Sequence, residues 1–235
     1  MFENLQLAES LDLQEDGSLE VIKVFKTLQS EGPFAGTPAI FIRLSGCNLA
    51  CTFCDTDYTS THKRYSPEEL FYEALTTRGN SNLDLIVITG GEPFRQNLKE
   101  FVFFACRRGA RVQIETNGTL FQELNYEYND TCLTIVCSPK TPKVHPQLEA
   151  HISAWKYILD ADHVDPKDGL PSSSMGDDLK IARPNYINSE LEIFVQPLDE
   201  QDPEKNKRNR QAAVESCLKY GYRLSLQLHK ELGLE

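Results

Sequence analysis

The chain has 235 residues, a length that suits one α/β domain or at most two small ones. With 40% hydrophobic and 25% charged residues it has the composition of an ordinary globular protein, which excludes collagen, coiled coils and mini-proteins. The formal net charge of -11 opposes binding to nucleic acid, itself a polyanion. No apolar run approaches the roughly 20 residues of a membrane span, and the acidic start differs from a signal peptide, so we expect a cytoplasmic protein with no membrane partner.

Strands and helices are predicted to alternate along a single domain, 1–235, whose residues 1–19 are expected to be frayed. The predicted strands are Glu20 to Phe25, Pro38 to Leu44, Asp84 to Thr89, Arg111 to Glu115, Cys132 to Cys137, Trp155 to Leu159, Leu191 to Val195 and Tyr222 to Leu228. The predicted helices run from Ser66 to about Gly79, from Asn97 to Arg108 and from about Pro203 to Tyr220. Residues 160–178 are rich in Asp, Ser, Gly and Pro and predict an irregular insertion.

This alternation indicates a parallel α/β fold, but the chain is too short for eight βα units of roughly 30 residues each. An incomplete barrel is therefore predicted. Ligands of such folds bind at the carboxyl ends of the strands, so functional residues should follow predicted strands. The segments that do so are Arg43 with the loop that carries Cys47, Cys51 and Cys54 (the cysteine loop), Thr89 to Pro93, Glu115 to Gly118, and Ser138 to Lys140.

Three of the seven cysteines, Cys47, Cys51 and Cys54, lie within eight residues. Thiolates are the usual ligands of iron–sulfur clusters, and three of them leave one iron open to a substrate or cofactor. The same residues could instead hold zinc, with His62 or a distant cysteine as the fourth ligand, in a zinc-binding interaction module. The other four cysteines are expected to be small buried residues without disulfides.

The pattern CxxxCxxC, with Phe53 just before its last cysteine, resembles that of the radical S-adenosylmethionine (SAM) enzymes, and Thr89-Gly90-Gly91-Glu92-Pro93 matches their second motif. Two glycines at a strand end allow a backbone to approach a ligand closely. On its own this second motif could be an ordinary turn between a strand and a loop. Together the two motifs indicate a 4Fe-4S cluster and S-adenosyl-L-methionine as cofactors.

From about Phe25 to His229 the chain closely resembles the 7-carboxy-7-deazaguanine synthases. The resemblance lies in FKTLQSEGPFAGTPAIFIRLSGCNLACTFCDTDYT, VITGGEP, IETNG, SPK, the Gln196-Pro197 pair and LSLQLHK. It implies an incomplete, modified (β/α) TIM-like barrel of the radical SAM type. It also implies a magnesium-dependent lyase that converts 6-carboxy-5,6,7,8-tetrahydropterin to 7-carboxy-7-deazaguanine with loss of ammonia, in queuosine biosynthesis.

Residue roles follow from the same resemblance. Cys47, Cys51 and Cys54 would bind the cluster and Thr56 would contact Mg²⁺, while no protein group is expected to carry the radical chemistry itself. The residues implied in binding S-adenosylmethionine are Phe53, Cys54, Asp55, Gly91, Glu115, Asn117, Ser138, Pro139 and Lys140. The residues implied in binding the pterin are Leu28, Gln29, Ser30, Arg43, Thr89, Gln196 and Pro197. Arg43 would meet the substrate carboxylate, a role that suits a guanidinium.

The resemblance further implies a homodimer and a flavodoxin-type or ferredoxin-type electron donor. Ser30 stands where the family usually has glycine, which should either shift the backbone or add a hydrogen bond. The nearest alternative is a radical SAM activase that acts on a glycine of a partner protein. Such an activase would need a peptide-binding surface, whereas Arg43 and the LQSEG loop favour a small pocket.

Overall fold

The computed structural model describes residues 6–124, 132–173, 180–185 and 191–234. Within these residues nine strands form one sheet: β1 (Leu19–Leu28), β2 (Pro38–Leu44), β3 (Lys63–Tyr65), β4 (Leu85–Gly90), β5 (Arg111–Thr116), β6 (Leu133–Cys137), β7 (Ala154–Leu159), β8 (Glu192–Pro197) and β9 (Arg223–Leu224). The helices are α1 (Pro67–Arg78), α2 (Lys99–Arg107), α3 (Pro146–Glu149), α4 (Pro203–Tyr220) and α5 (Leu228–Leu232), and short 3-10 turns cover Gly32–Phe34 and Pro93–Arg95.

The strands are ordered β3-β1-β2-β4-β5-β6-β7-β8-β9. From β2 to β9 each neighbouring pair is parallel, whereas β1 runs antiparallel to both β2 and β3. The edge strands β3 and β9 do not pair with each other, so the sheet stays open. This arrangement confirms the predicted incomplete barrel and brings the carboxyl ends of the parallel strands to one edge.

The two faces of the sheet have different partners. In β2, Ile40, Ile42 and Leu44 belong to the main apolar core, which includes residues of α1, α2 and α4. The alternate residues of the strand, Ala39 and Phe41, face the interior, because successive side chains of a strand point to opposite faces. Near the amino ends of the strands this interior is closed by a small apolar cluster of Ala39, Leu85 and Val87 beside Phe34 and Phe41. The open end therefore lies at the carboxyl ends.

Local signals account for the helix boundaries. Ser66 and Glu69 form the predicted capping box, in which the Glu69 amide donates to the Ser66 hydroxyl and the Ser66 amide donates to the Glu69 carboxylate at 2.9 Å. Helix α4 ends at Gly221, whose φ of 79° is left-handed and suits glycine. Among the described residues no helix is long and apolar enough to cross a bilayer.

Two sequence predictions need correction. The last strand was predicted from Tyr222 to Leu228, but only Arg223–Leu224 pair as β9, and Leu228 begins α5 instead. The reason is that the side chains after Ser225 turn toward polar partners on distant loops, as described below.

The expected fraying does not hold for residues 6–18, because the amide of Glu9 donates to the carbonyl of Cys47 at 2.7 Å and that of Asp12 to the carbonyl of Arg95 at 2.9 Å.

The insertion predicted at residues 160–178 is irregular where the structure describes it, up to residue 173, apart from one bridge between Val164 and Pro171. It packs on α4, where the hydroxyl of Ser216 donates to the carbonyl of Gly169 at 2.6 Å. Residues 174–178 lie outside the described residues.

Candidate active site

A cavity of about 580 Å³ opens at the carboxyl ends of the parallel strands. Of the site residues predicted from the sequence, Pro139 alone does not line it. Those that do are Leu28, Gln29, Ser30, Arg43, Cys47, Cys51, Phe53, Cys54, Asp55, Thr56, Thr89, Gly91, Glu115, Asn117, Ser138, Lys140, Gln196 and Pro197. Segments separated by more than 150 residues in sequence thus meet in one volume.

The three thiols of the cysteine loop face this cavity. Burial raises the pKa of all three thiols, and that of Cys47 reaches about 12 because the charges of Glu92, Cys51 and Cys54 act in the same direction as burial. Thiolates form at such a site only when a positive partner offsets their desolvation, and three soft sulfur ligands around a cavity suit iron of an iron–sulfur cluster. Across the described residues, no three His, Cys, Asp or Glu side chains lie close enough together to coordinate one single metal ion.

His62, the local candidate for a fourth ligand, does not line the cavity. Its Nε2 lies 3.5 Å from Oε1 of Glu20, beside β3. The structure thus gives His62 a partner away from the three thiols.

The end of β4 and the start of the cysteine loop are in close backbone contact. A Cβ added to Gly91 would lie 1.9 Å from the carbonyl oxygen of Gly46, and the amide of Glu92 donates to that same oxygen at 3.0 Å. Only glycine fits at position 91, because no real Cβ approaches a backbone oxygen so closely. The second motif therefore supports the loop that carries the cysteines.

The carboxylate of Glu92 is fully buried beneath the cavity. It accepts hydrogen bonds from the Thr116 hydroxyl at 2.7 Å and from the amides of Asn117 at 2.7 Å and Phe94 at 3.1 Å. Burial raises its pKa to about 7, although these hydrogen bonds act in the opposite direction. Through these hydrogen bonds, Glu92 connects the turn after β4 with the turn after β5. They also hold the backbone of Asn117 in place at the cavity wall.

Arg43 and Thr89 are paired neighbours on β2 and β4, and both side chains line the cavity. The guanidinium carbon of Arg43 lies 5.3 Å from the ring centroid of Phe25. Its Nε is buried and has no hydrogen-bond partner among the described residues. A buried donor without a partner is costly, so this group fits the binding of an anion such as a carboxylate.

On the opposite wall, Lys140 donates from Nζ to the carbonyl of Ser138 at 2.7 Å and to its hydroxyl at 2.6 Å. Burial lowers the pKa of Lys140, while the nearby thiols of Cys51 and Cys54 oppose that shift. The ammonium is therefore close enough to the cysteine loop to interact with its charges.

Several cavity residues were missed by sequence reasoning. They are Phe25, Thr27, Glu31, Phe41, Leu49, Thr116, Lys156, Ile158, Leu198, Asp199, Gln201, Gln227, His229 and Lys230. A usable signal existed for Lys156, since a lysine between Trp155 and Tyr157 in a buried strand must point to a polar interior. Gln227, His229 and Lys230 lie in the LSLQLHK segment of the family resemblance. No local pattern shows that they line the cavity, because their partners lie on loops far away in sequence.

The C-terminal segment closes over the cavity mouth. Lys230 contacts the carboxylates of Asp55 at 2.9 Å and Asp199 at 2.8 Å. The hydroxyl of Ser30 is hydrogen-bonded to Nδ1 of His229 at 2.7 Å. Of the two consequences expected for a serine in place of the family's usual glycine, the added hydrogen bond is thus observed.

Comparison with known proteins agrees with this geometry. Residues 41–143, which include the cysteine loop and the second motif, match the model of the radical SAM superfamily. The 7-carboxy-7-deazaguanine synthase of Rhodospirillum rubrum is 42% identical over 97% of both chains. That of Rickettsia prowazekii is 39% identical over 95% of this chain and 92% of its own.

The crystal structure of QueE from Escherichia coli has the same fold, with a TM-score of 0.68, 24% identity, and coverage of 89% of this chain and 94% of that one. Because the full-length relatives exceed 30% identity, the resemblance extends well beyond the two shared motifs. This chain belongs to the 7-carboxy-7-deazaguanine synthase family of radical SAM enzymes.

Proposed function

We propose that this protein converts 6-carboxy-5,6,7,8-tetrahydropterin to 7-carboxy-7-deazaguanine with loss of ammonia. The observation that carries the proposal is the cavity itself, in which three cysteine thiols face the same space as the guanidinium of Arg43, whose Nε has no hydrogen-bond partner among the described residues. A radical-generating group and a carboxylate-binding group would thus act on one small molecule. Full-length relatives that bear the name of this activity support the same conclusion.

On the cofactor side, Cys47, Cys51 and Cys54 would ligate the 4Fe-4S cluster. The chemistry that the cluster and S-adenosylmethionine would supply there is a one-electron reductive cleavage that starts a radical reaction on the pterin. The residues proposed to hold S-adenosylmethionine are Phe53, Cys54, Asp55, Gly91, Glu115, Asn117, Ser138, Pro139 and Lys140. This chain's own task is to orient the two molecules and to keep water away.

On the substrate side, Arg43 would bind the pterin carboxylate through its guanidinium group. The other residues proposed to contact the pterin are Leu28, Gln29, Ser30, Thr89, Gln196 and Pro197. Thr56 lines the cavity next to the cysteine loop, so its hydroxyl is the proposed protein ligand of Mg²⁺. Magnesium commonly keeps waters and takes its remaining oxygens from the substrate, so one protein ligand is sufficient.

The proposal extends to the protein's surroundings. We infer a flavodoxin-type or ferredoxin-type electron donor and a homodimer from the family resemblance, and a cytoplasmic location from the character of the sequence. The activase and the zinc-binding module receive no support from the relatives, which are named as synthases of a small molecule.

The direct test is to reconstitute the protein anaerobically, reduce it and incubate it with S-adenosylmethionine, Mg²⁺ and carboxytetrahydropterin. We expect mass analysis to find carboxydeazaguanine and ammonia. Replacement of Cys47, Cys51 or Cys54 by Ala should abolish the cluster absorbance, whereas Cys217→Ala should leave it intact. An intact cluster that forms deoxyadenosine but no carboxydeazaguanine would contradict the proposal, and a protein that takes up zinc but no iron would contradict the whole enzyme assignment.

A further inference from the structure

One buried cation in the cavity wall has no role in the function described so far. Lys156 is the third residue of β7, and only 4% of its surface is exposed. Its neighbours Trp155 and Tyr157 pack into the apolar core on the outer face of the sheet, so Lys156 points inward and lines the cavity. An ammonium removed from water is costly unless it is paired.

Two carboxylates from different parts of the fold provide that pairing. Nζ of Lys156 lies 3.0 Å from Oε2 of Glu115 on β5 and also contacts Oε2 of Glu31, in the loop after β1. Both carboxylates line the cavity. Lys156 is therefore the bridge between two acidic groups that would otherwise repel each other.

The second oxygen of Glu31 is also engaged. Its Oε1 accepts hydrogen bonds from Nε2 of Gln196 at 3.3 Å and from Nε2 of Gln227 at 3.2 Å. Burial alone would raise the pKa of Glu31, but the charge and hydrogen bond of Lys156 outweigh it and hold that pKa below its usual value. Conversely, burial would lower the pKa of Lys156, and Glu115 and Glu31 together raise it. The ion pair thus stays charged at neutral pH.

Glu115 is held in a matching way. Its Oε1 accepts from Nε2 of Gln29 and from Nε2 of Gln113, each at 2.9 Å. Each carboxylate consequently has one oxygen on Lys156 and the other on two amides, which fixes its orientation.

We propose that Lys156 is a positioning residue of the active site, whose ammonium holds the carboxylates of Glu31 and Glu115 side by side and aimed at the cavity, where they accept hydrogen bonds from the N–H groups of the bound molecules. This inference rests on the proposed function and adds the pterin, whose ring carries several N–H donors, to the S-adenosylmethionine already proposed as a ligand of Glu115. Lys156 is not a proton donor in this role, because its two carboxylates hold its proton firmly. The other titratable groups near the pair are His229, which acts on Glu31, and Lys140.

The test compares Lys156→Met with Lys156→Arg in the reconstituted enzyme, with Lys207→Met on exposed α4 as a control. Loss of the cation leaves Glu31 and Glu115 facing each other, and one of them must then take up a proton. We expect Lys156→Met to raise KM for carboxytetrahydropterin at least tenfold, to change kcat less than KM, and to move the acid limb of kcat/KM to higher pH. Lys156→Arg keeps the charge, so its acid limb should stay where the wild-type limb lies, and Lys207→Met should match the wild type.

The outcomes separate this inference from the proposed function. A wild-type enzyme that makes no carboxydeazaguanine defeats the function. A wild-type enzyme that makes it, beside a Lys156→Met enzyme with unchanged KM and pH profile, defeats only the role of Lys156. Should Lys156→Met fail to fold, the triple variant Glu31→Gln, Glu115→Gln, Lys156→Met removes every charge of the group. A raised KM in that variant supports the role, and a wild-type KM overturns it.

Discussion

At residue 91 two backbones approach so closely that no methyl group can be added. Because a Cβ there would lie 1.9 Å from the Gly46 carbonyl oxygen and 2.8 Å from the amide of Cys47, Gly91→Ala must push the cysteine loop away from β4. We expect a loss of about 1–3 kcal/mol in the free energy of unfolding, as for other overpacked sites. We also expect the reconstituted variant to bind substantially less iron and sulfide than the wild type.

Gly109→Ala is the matched control for this change. Gly109 has a φ of +80°, but nothing lies within 4 Å of an added Cβ. The Gly109→Ala variant should therefore lose about 1 kcal/mol in the free energy of unfolding, because of its backbone conformation alone. Its iron content should not fall. Equal iron content in the Gly91→Ala protein and the wild type would show that the close approach is not needed to form the cluster site.

The buried carboxylate of Glu92 should make stability depend on pH. Its pKa is about 7 in the folded protein, against an ordinary value of 4.5 for an exposed glutamate in the unfolded chain, so the folded state holds the proton more tightly. The contribution of Glu92 to stability is therefore largest below pH 4.5 and falls as pH rises toward 7, by up to about 3 kcal/mol. In urea titrations of the protein without its cluster, Glu92→Gln should lack this decline relative to the wild type.

Glu69→Gln offers a contrast of opposite sign. Hydrogen bonds from Ser66 lower the pKa of Glu69, so its contribution is present above the unfolded pKa and lost as pH falls. If Glu92→Gln shows the same slope as the wild type between pH 4.5 and 7, the carboxyl group does not titrate there.

At the scale of elements, patterns local in sequence were sufficient for the parallel strands from β2 to β8, whereas β9 is shorter than its pattern predicts. The run Leu85–Gly90 is apolar on both faces, and the capping box at Ser66 marks the start of α1. The three-residue strand β3 and the helix α5 escaped prediction because neither has a periodic apolar face. Their conformation depends on distant partners, which a local pattern does not encode.

Helix α5 is held in place by the ion pairs of Lys230 with Asp55 and Asp199, and Lys230→Met should remove these pairs. Burial acts to lower the pKa of Lys230, but Asp199 and Asp55 together raise it, so the pairs are charged. Without the cation, Asp55 loses its anchor next to Cys54. We expect the affinity for S-adenosylmethionine to fall about two- to fivefold, because partly exposed pairs contribute at most about 1 kcal/mol. Equilibrium dialysis on the reconstituted protein measures this change.

Glu231→Gln on the same helix is the control for Lys230→Met. Glu231 pairs with Arg210 at 3.6 Å on the exposed side, away from the cavity lining. Its removal should leave the affinity unchanged. A drop of equal size in both variants would mean that α5 as a whole is disturbed and that the bridge to Asp55 has no specific effect.

At the scale of the whole molecule, the position of the site was predictable although its inner wall was not. Arg43, Thr89 and Ser138 each follow or end a parallel strand, and parallel strands must bring their carboxyl ends to one edge. The partners of Lys156 were not predictable, because Glu31 comes from a loop 125 residues away that enters the interior of the open sheet. Such contacts arise because the open sheet curves around the loop, and no local sequence pattern encodes that curvature.

The N-terminal segment shows the same long-range dependence, and Arg95 is its anchor. The guanidinium is 4% exposed and donates to the carbonyls of Ser10 at 2.8 Å and Ser45 at 3.2 Å. It also lies 3.4 Å from a carboxylate oxygen of Glu9. Arg95→Met would remove the buried donor of the Ser10 carbonyl and the cation beside Glu9, while the Ser45 carbonyl keeps Nε2 of Gln96 as a donor at 3.0 Å, so we expect unfolding in urea to cost about 1–3 kcal/mol less.

A second effect of Arg95→Met should separate the anchor from general stability. Arg95 fills the space beside Gly46, just before Cys47, so its loss should also lower the iron content after reconstitution. Arg64→Met is the control, because Arg64 makes its ion pairs to Asp12 and Glu20 on the exposed side and should cost at most about 1 kcal/mol. If the two variants lose the same stability and both keep their iron, the N-terminal segment does not support the cysteine loop. If Arg95→Met alone loses iron, the segment before β1 is part of the cluster-binding architecture.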